Sequence, residues 1–129
     1  MKIFLDDIRN PKDCYEYMKI RIGSNSDIYK DENWIICRNY QEFVDAIDDN
    51  YPYIYTISFD HDLADEHYSD LMFKNPNEYN KLQFKEKTGY DCAKYFKDYY
   101  ENEKEQDYPE IYVHSMNPVG TQNILNLFK

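Results

Sequence analysis

The length of 129 residues suits one domain with its own core and is too short for two domains of ordinary size. Apolar residues make up 42% of the chain and aromatic residues 18%, which is enough material for that core. The net charge of -10, with no offsetting cluster of Lys and Arg, argues against a nucleic-acid duplex as a partner.

The cysteines and the distribution of apolar residues indicate the compartment. Cys14, Cys37 and Cys92 form no Cys-x-x-Cys pair and leave an odd count, which argues against a disulfide framework and a zinc-thiolate site. We expect them to be reduced and part-buried. The chain shows neither a signal-peptide core nor the roughly 18 consecutive apolar residues that span a membrane. We therefore expect a cytoplasmic protein that does not bind membranes.

Four short apolar runs predict β-strands, at residues 3–5, 34–37, 54–59 and 111–113. They are rich in Ile, Val, Tyr and Phe, are too short for helices, and are bounded by Asp, Asn, Pro or Lys. Each run is apolar on both faces, as is typical of a strand in a buried parallel sheet.

Three segments place apolar residues at helical spacing. Asn39 can cap the first helix together with Glu42, and this helix ends at residues 48–50. The second begins near Gly89 and the third follows Pro118. The apolar faces contain Cys92, Ala93, Phe96 and Tyr100 in the second segment and Ile124, Leu125 and Phe128 in the third.

Two stretches do not fit a simple alternation of strands and helices. A modest helical pattern around residues 15–22 is followed by a polar loop at residues 23–26. Residues 64–88 form a polar insertion with scattered aromatic residues, and a loop of this length in a compact domain is usually functional or disordered. The alternation of strands and helices elsewhere predicts a single α/β domain, with an open, mostly parallel sheet flanked by helices.

Ionisable and polar side chains directly follow three of the predicted strands. They are Asp6 and Asp7 after the first, Asp60, His61 and Asp62 after the third, and His114, Ser115 and Asn117 after the fourth. The carboxyl ends of parallel strands share one edge of the sheet, where ligands usually bind. Any one of these residues alone is more often a turn or cap residue, but their coincidence on three strands favours a functional site.

Acids gathered at one edge repel one another, and a divalent cation relieves the repulsion. Mg²⁺ and Mn²⁺ prefer oxygen ligands and are commonly held by carboxylates together with a substrate phosphate. The cluster therefore predicts a hard divalent cation, Mg²⁺ or Mn²⁺. Asp62 either completes the coordination shell, orients a neighbouring imidazole, or ends a turn.

Two further features suit a phosphate ligand. Arg9 lies in the loop after the first strand, where its guanidinium could bind phosphate or could neutralise the nearby acids. Asn117 leads into the last helix, whose free N–H groups suit an anion. His61 and His114 are candidates for general base and general acid, because histidine titrates near neutral pH.

Four sequence blocks carry a resemblance to a known family, namely LDDIRNP at residues 5–11, ISFDHDL at 57–63, TGYD at 88–91 and VHSMNPVG at 113–120. The acids after strands one and three and the Ser after strand four resemble the receiver domain of two-component signalling. The ordered set resembles more closely the cyclic-phosphate processing receiver domain family of bacteria and phages. The resemblance implies a sheet of about four strands in the order 2-1-3-4. We expect this sheet to lack the fifth strand of an ordinary receiver domain and its lysine, since the residues after Ser115 look like one helix.

The resemblance also implies an activity, that of a metal-dependent phosphoesterase acting on a cyclic phosphate or a nucleotide-derived small molecule. Asp6, Asp7 and Asp60 would then bind the metal, with Asp60 either only a ligand or also a nucleophile that attacks phosphorus. Arg9, Ser115 and Asn117 would hold the phosphate, and the insertion would close over the substrate. The alternative is a degenerate receiver domain that binds a nucleotide or a protein and turns nothing over.

Overall fold

The computed structural model describes residues 1–63, 87–103 and 108–129. Its strands are β1 (Lys2–Leu5), β2 (Trp34–Cys37), β3 (Thr56–Phe59) and β4 (Glu110–Val113). They form one parallel sheet in the order β2-β1-β3-β4, which confirms the predicted class and strand order. The described part of the chain contains these four strands, each four residues long; β1 and β3 are buried throughout, whereas β2 and β4 are buried only in part.

The strands are aligned so that their carboxyl ends stand level. Leu5 pairs with both Cys37 and Phe59, and Phe59 pairs with Val113. Because each of these residues is the last of its strand, the residues that follow all four strands lie at the same edge of the sheet. The register therefore brings together the side chains that follow the strands, which is what the sequence requires of a site at this edge.

The described helices cover both faces of the sheet. They are α1 (Pro11–Ile22), a 3₁₀ helix (Gly23–Lys30), α2 (Tyr40–Asn50), α3 (Gly89–Glu103) and α4 (Pro118–Leu127). The predicted cap of α2 is confirmed, because the Asn39 side chain accepts a hydrogen bond from the Glu42 N–H at 2.8 Å. None of the helices in the described residues is long and apolar enough to cross a membrane.

The polar loop predicted at residues 23–26 is wrong, because these residues begin the 3₁₀ helix. Ser26 is fully buried and its hydroxyl donates to the Gly23 carbonyl at 2.6 Å, which closes the first turn. Tyr29 is also buried, and its ring stacks on Trp34 with centroids 5.8 Å apart. A polar sequence was therefore mistaken for a loop because its two inward-facing side chains carry hydroxyl groups.

Strand alternation divides the core into two clusters. The larger lies between one face of the sheet and helices α2, α3 and α4, and includes Ile3, Leu5, Ile57 and Phe59. The smaller lies on the other face, and its buried members are Phe4, Cys14, Met18, Tyr29 and Trp34, from β1, α1, the 3₁₀ helix and β2. Successive strand residues point to opposite faces. The even-numbered positions of β1 therefore face the smaller cluster.

The three cysteines are free thiols, as expected, but they are buried more deeply than the sequence predicts. Cys14, Cys37 and Cys92 are each at most 1% exposed. Burial raises the pKa of Cys14 to about 11 and that of Cys37 to about 12, so both stay protonated at neutral pH. They act as small apolar side chains of the core.

Candidate functional site

Three of the predicted site residues extend the sheet by one position. The N–H groups of Asp6, Asp60 and His114 donate to the carbonyls of the last residues of neighbouring strands, at 3.0, 2.9 and 2.9 Å. Asp6 lies two residues after Phe4, so alternation directs its side chain towards the smaller cluster and α1. The backbone ladder thus fixes where these three side chains begin.

Asp6, Asp60 and His114 are buried and close together. Each offers one ligand atom, these atoms all lie within 4.8 Å of one another, and the group could hold a metal ion. Each of the three is at most 1% exposed. With Arg9, which reaches the same point from the loop after β1, they form a set of four residues that we call the acid cluster.

The carboxylate of Asp6 accepts four hydrogen bonds. Its Oδ1 accepts from the N–H groups of Ile8 at 2.9 Å and Arg9 at 2.7 Å. Its Oδ2 accepts from Arg9 Nε at 2.9 Å and His114 Nε2 at 3.0 Å. Burial by itself raises the pKa of Asp6, but the bonds from His114 and the two N–H groups outweigh it and hold the pKa well below its usual range. Asp6 is therefore ionised.

The guanidinium of Arg9 lies between the two acids. Besides its bond to Asp6, its Nη2 is 3.4 Å from Asp60 Oδ1. Its Nη1 donates to the Tyr17 hydroxyl at 2.8 Å, and that hydroxyl donates to the His114 carbonyl at 2.7 Å. Of the two interpretations of Arg9 given above, these contacts are those of an arginine that neutralises acids.

Asp60 is the least compensated member of the acid cluster. Its Oδ1 accepts from the His61 N–H at 2.9 Å, whereas its Oδ2 is buried and has no hydrogen-bond partner among the described residues. Burial and then the charge of Asp6 raise the pKa of Asp60 to about 8, although Arg9 acts in the opposite direction. A buried carboxylate oxygen without a donor is costly, and a cation would relieve that cost.

His114 is enclosed by the protein. Its ring is stacked on Phe4, with centroids 4.3 Å apart and planes 8° from parallel. Its Nδ1 lies 2.7 Å from the hydroxyl of Ser58, while Nε2 faces Asp6. Burial lowers the pKa of His114 to about 4 even though Asp6 acts to raise it, so the imidazole is neutral at pH 7.

His61, Asp62 and Asn117 form a second group, which we call the imidazole cluster. His61 Nδ1 is 2.9 Å from Asp62 Oδ1, and Asn117 Nδ2 lies 3.3 Å from the same oxygen. All three residues are less than 5% exposed. A neutral imidazole that donates from Nδ1 to a carboxylate carries its lone pair on Nε2, which is the tautomer of a general base. Asp62 thus has the geometry of a residue that orients His61.

Two glycines let helices α3 and α4 approach residues 60–61 closely. A Cβ on Gly89 would lie 1.6 Å from the Asp60 carbonyl oxygen, and one on Gly120 would lie 2.3 Å from Cγ of His61. Gly89 also donates its N–H to the His61 carbonyl at 2.7 Å. The first turns of α3 and α4 therefore pack directly against residues 60–61, and only glycine permits this distance.

The other predicted site residues lie near these groups. Ser115 is buried, and its hydroxyl accepts from the Asn117 N–H at 3.0 Å. Asn117 caps α4, since its Oδ1 accepts from the Gly120 N–H at 3.1 Å. Asp7 is half-buried beside Asp6 in the chain. Among the described residues, the group of possible metal ligands includes neither Asp7 nor Asp62.

Sequence reasoning missed three residues that build the site. Ser58 is a polar residue inside an apolar strand, which was a visible signal. Arg38 directly follows β2, and it donates to the carbonyls of Arg9 at 2.6 Å and Asp6 at 3.2 Å, so it holds the loop after β1. Nothing in the sequence distinguishes Tyr17 among fifteen tyrosines. Residues 64–86 of the predicted insertion lie outside the described part of the chain.

A four-stranded parallel sheet with acids at its carboxyl edge and helices on both faces defines a receiver-like α/β domain. The chain belongs to the cyclic-phosphate processing receiver domain family, whose model matches residues 1–129. The resemblance seen in the sequence is thereby confirmed, and the family description associates the domain with the processing of cyclic phosphates. Comparisons with curated proteins and with solved structures found no match.

Proposed function

We propose that the chain is a metal-dependent phosphoesterase that hydrolyses a cyclic phosphate or a nucleotide-derived small molecule at the carboxyl edge of its sheet. The observation that carries the proposal is the buried Oδ2 of Asp60, which has no hydrogen-bond partner in the described part of the chain and lies within a group of two carboxylates and an imidazole. Such an oxygen is a ready ligand for a cation.

The donor set favours one of the two predicted metals. Asp6 and Asp60 supply carboxylate oxygens, and His114 Nε2 would be the third donor. Mg²⁺ takes oxygen ligands almost exclusively, whereas a site that includes a nitrogen ligand binds Mn²⁺ more tightly than it binds Mg²⁺. We therefore favour Mn²⁺. The ion, when bound, supplies positive charge that stabilises the charge developing on a phosphoryl group.

Arg9 has a second task in this proposal. Its guanidinium now compensates Asp6 and Asp60, and a cation held by these acids would release it from that role. A guanidinium at this position can bind two phosphate oxygens at once. Ser115 and Asn117, which lie just before the N-terminus of α4, would bind the remaining oxygens.

The imidazole cluster supplies acid–base chemistry. Asp62 holds Nδ1 of His61, which fixes the ring and leaves the lone pair on Nε2. His61 then accepts a proton from the attacking group and returns it to the leaving oxygen. His114 is less suited to this task, because it is fully buried and both ring nitrogens face protein groups.

The test is turnover by the purified protein, with Mn²⁺ or Mg²⁺, of a panel of cyclic phosphates. The panel contains 2′,3′-cyclic nucleotides, 3′,5′-cyclic nucleotides, cyclic dinucleotides and ADP-ribose cyclic phosphate. We expect metal-dependent turnover that is lost in Asp60→Ala and Asp6→Ala and kept in Asp49→Ala, which removes an exposed acid of α2. Turnover that persists in Asp60→Ala would disprove the proposed site.

A binding module without turnover is the second candidate, and the position of Arg9 favours it. Because Arg9 already contacts both acids, the site could bind a ligand without any metal. In that case a nucleotide from the panel binds with the same affinity in His61→Gln and nothing is hydrolysed. Isothermal titration calorimetry of both forms decides between the two functions.

A further inference from the structure

A line of four buried side chains crosses the smaller cluster and ends at the acid cluster. The Tyr29 hydroxyl is 2.7 Å from Ser58 Oγ, and Ser58 Oγ is 2.7 Å from Nδ1 of His114. His114 Nε2 is 3.0 Å from Asp6 Oδ2. Tyr29 lies in the 3₁₀ helix and Ser58 in β3, while His114 and Asp6 directly follow β4 and β1. Each of the four is at most 1% exposed.

Packing does not explain the two hydroxyl groups. Ser58 occupies the middle of β3, and the cluster around Tyr29 is otherwise built from apolar side chains. Burying a hydroxyl stabilises a core less than a methyl group does, and it is costly unless the hydroxyl is hydrogen-bonded. Here each hydroxyl bonds to the next group in the line, and the line leads to His114.

The line has a definite direction in the structure. The Asp6 carboxylate only accepts hydrogen bonds, so the proton of the neutral His114 ring is on Nε2. Nδ1 therefore accepts from Ser58, which in turn accepts from Tyr29. A serine hydroxyl can also accept from a protonated Nδ1. The two hydroxyl groups thus suit either tautomer of the imidazole, whereas Asp6 requires the proton on Nε2.

We infer that Ser58 and Tyr29 are positioning residues that orient His114 and set which of its nitrogens carries the proton. Without a cation, Nε2–H donates to Asp6. With a cation in the acid cluster, the ring proton is on Nδ1 and donates to Ser58, so that Nε2 offers its lone pair. The ring stays neutral, since one nitrogen loses the proton that the other gains. The inference rests on the proposed metal site.

Phe4 contributes by keeping the ring in one plane. Its ring stacks face to face on His114, with centroids 4.3 Å apart, and restrains the imidazole from tilting towards that side. A histidine that binds a metal through one ring nitrogen commonly has a hydrogen-bond partner at the other nitrogen. Loss of that partner typically lowers metal affinity by about 10- to 100-fold. The hydroxyl of Ser58 occupies that position in this site.

The experiment compares the wild type with Ser58→Ala, Tyr29→Phe and Ser26→Ala. Ser26 is the matched control, because it is a fully buried serine whose hydroxyl bonds to Gly23 outside the line. Mn²⁺ affinity is measured by isothermal titration calorimetry, and ¹⁵N NMR of the His114 ring in the metal-free protein gives the tautomer. We expect about 10- to 100-fold weaker Mn²⁺ binding in Ser58→Ala, a smaller loss in Tyr29→Phe and none in Ser26→Ala.

The two readouts separate failure of this inference from failure of the proposed function. If the wild type binds Mn²⁺ and Ser58→Ala binds it equally, or if the metal-free His114 ring carries its proton on Nδ1, the inference is overturned and the metal site stands. If the wild type binds no Mn²⁺, the metal site is wrong and with it the exchange of the ring proton. Tyr29→Phe removes a single oxygen atom and gives the same comparison if Ser58→Ala does not fold.

Discussion

The acid cluster and the imidazole cluster are adjacent in the chain but are built differently. Asp60, in the first, continues the backbone ladder of the sheet, and its neighbours in space follow β1 and β4. His61 and Asp62, in the second, have left the sheet and pack against the first turns of α3 and α4. One cluster is thus held by strand register and the other by helix packing.

This difference predicts a division of labour. In the acid cluster, the pKa of Asp6 is lowered and that of Asp60 is raised, so its energetics are dominated by charge. In the imidazole cluster, a carboxylate orients one ring nitrogen. Substitutions in the first should change cation affinity and the pH dependence of stability. Substitutions in the second should change turnover and leave cation affinity unchanged.

Asp62→Asn should have the largest effect and separates the roles of the two clusters most clearly. The amide cannot hold Nδ1 of His61 as a carboxylate does, so we expect kcat to fall roughly 10²- to 10⁴-fold, the range for loss of a positioned acid–base group. Mn²⁺ affinity should stay within about twofold, because Asp62 lies outside the group of possible ligands found in the described residues. Steady-state kinetics and calorimetry on the same preparation check both values. A parallel loss of Mn²⁺ binding would show that Asp62 is a ligand.

The pH dependence of stability tests the charge interactions of the acid cluster. The pKa of Asp60 is about 8 in the folded protein and ordinarily 3.8, so this group makes stability fall as pH rises between those values. The pKa of His114 is about 4 against an ordinary 6.5, so that group makes stability rise with pH between 4 and 6.5. The two oppose each other up to pH 6.5, and above it only the fall due to Asp60 remains.

We therefore expect the free energy of unfolding to fall by about 2 kcal/mol between pH 6.5 and 8, at about 1.4 kcal/mol for each pKa unit. Asp60→Asn should abolish that fall. Urea denaturation at the two pH values measures it, and Asp49→Asn on the surface of α2 is the control. An equal fall in Asp60→Asn would show that another group titrates in this window.

The sequence predicted the sheet, its strand order and the residues at its carboxyl edge, because short apolar strands and strand-end polar residues are local signals. It could not predict which strand-end groups meet. Arg9 was open between two roles because only the loop geometry, which Arg38 helps to hold, directs its side chain to Asp6. Ser58 was passed over because its role depends on Tyr29, which is distant in the chain.

Gly120→Ala tests the helix packing of the imidazole cluster. The added methyl would lie 2.3 Å from Cγ of His61, so the ring or the first turn of α4 must shift. We expect a loss of about 1–3 kcal/mol of stability, typical of an overpacked core, together with lower kcat at unchanged Mn²⁺ affinity. Gly23→Ala is the control, since it adds a methyl to open space and costs only the left-handed backbone at φ 64°. Equal kcat in the two variants would contradict the predicted shift of His61.

Tyr17→Phe should have the smallest effect, because it removes one hydroxyl that connects the two strand ends without belonging to either cluster. That hydroxyl accepts from Arg9 Nη1 and donates to the His114 carbonyl. Its loss leaves a half-buried guanidinium nitrogen with one bond fewer, so we expect about 1 kcal/mol lower stability. Urea denaturation measures the change against Tyr53→Phe, an exposed tyrosine. Equal stability of Tyr17→Phe and Tyr53→Phe would show that the acids alone hold Arg9. The guanidinium could then move away from Asp6 without losing any stabilising contact with α1.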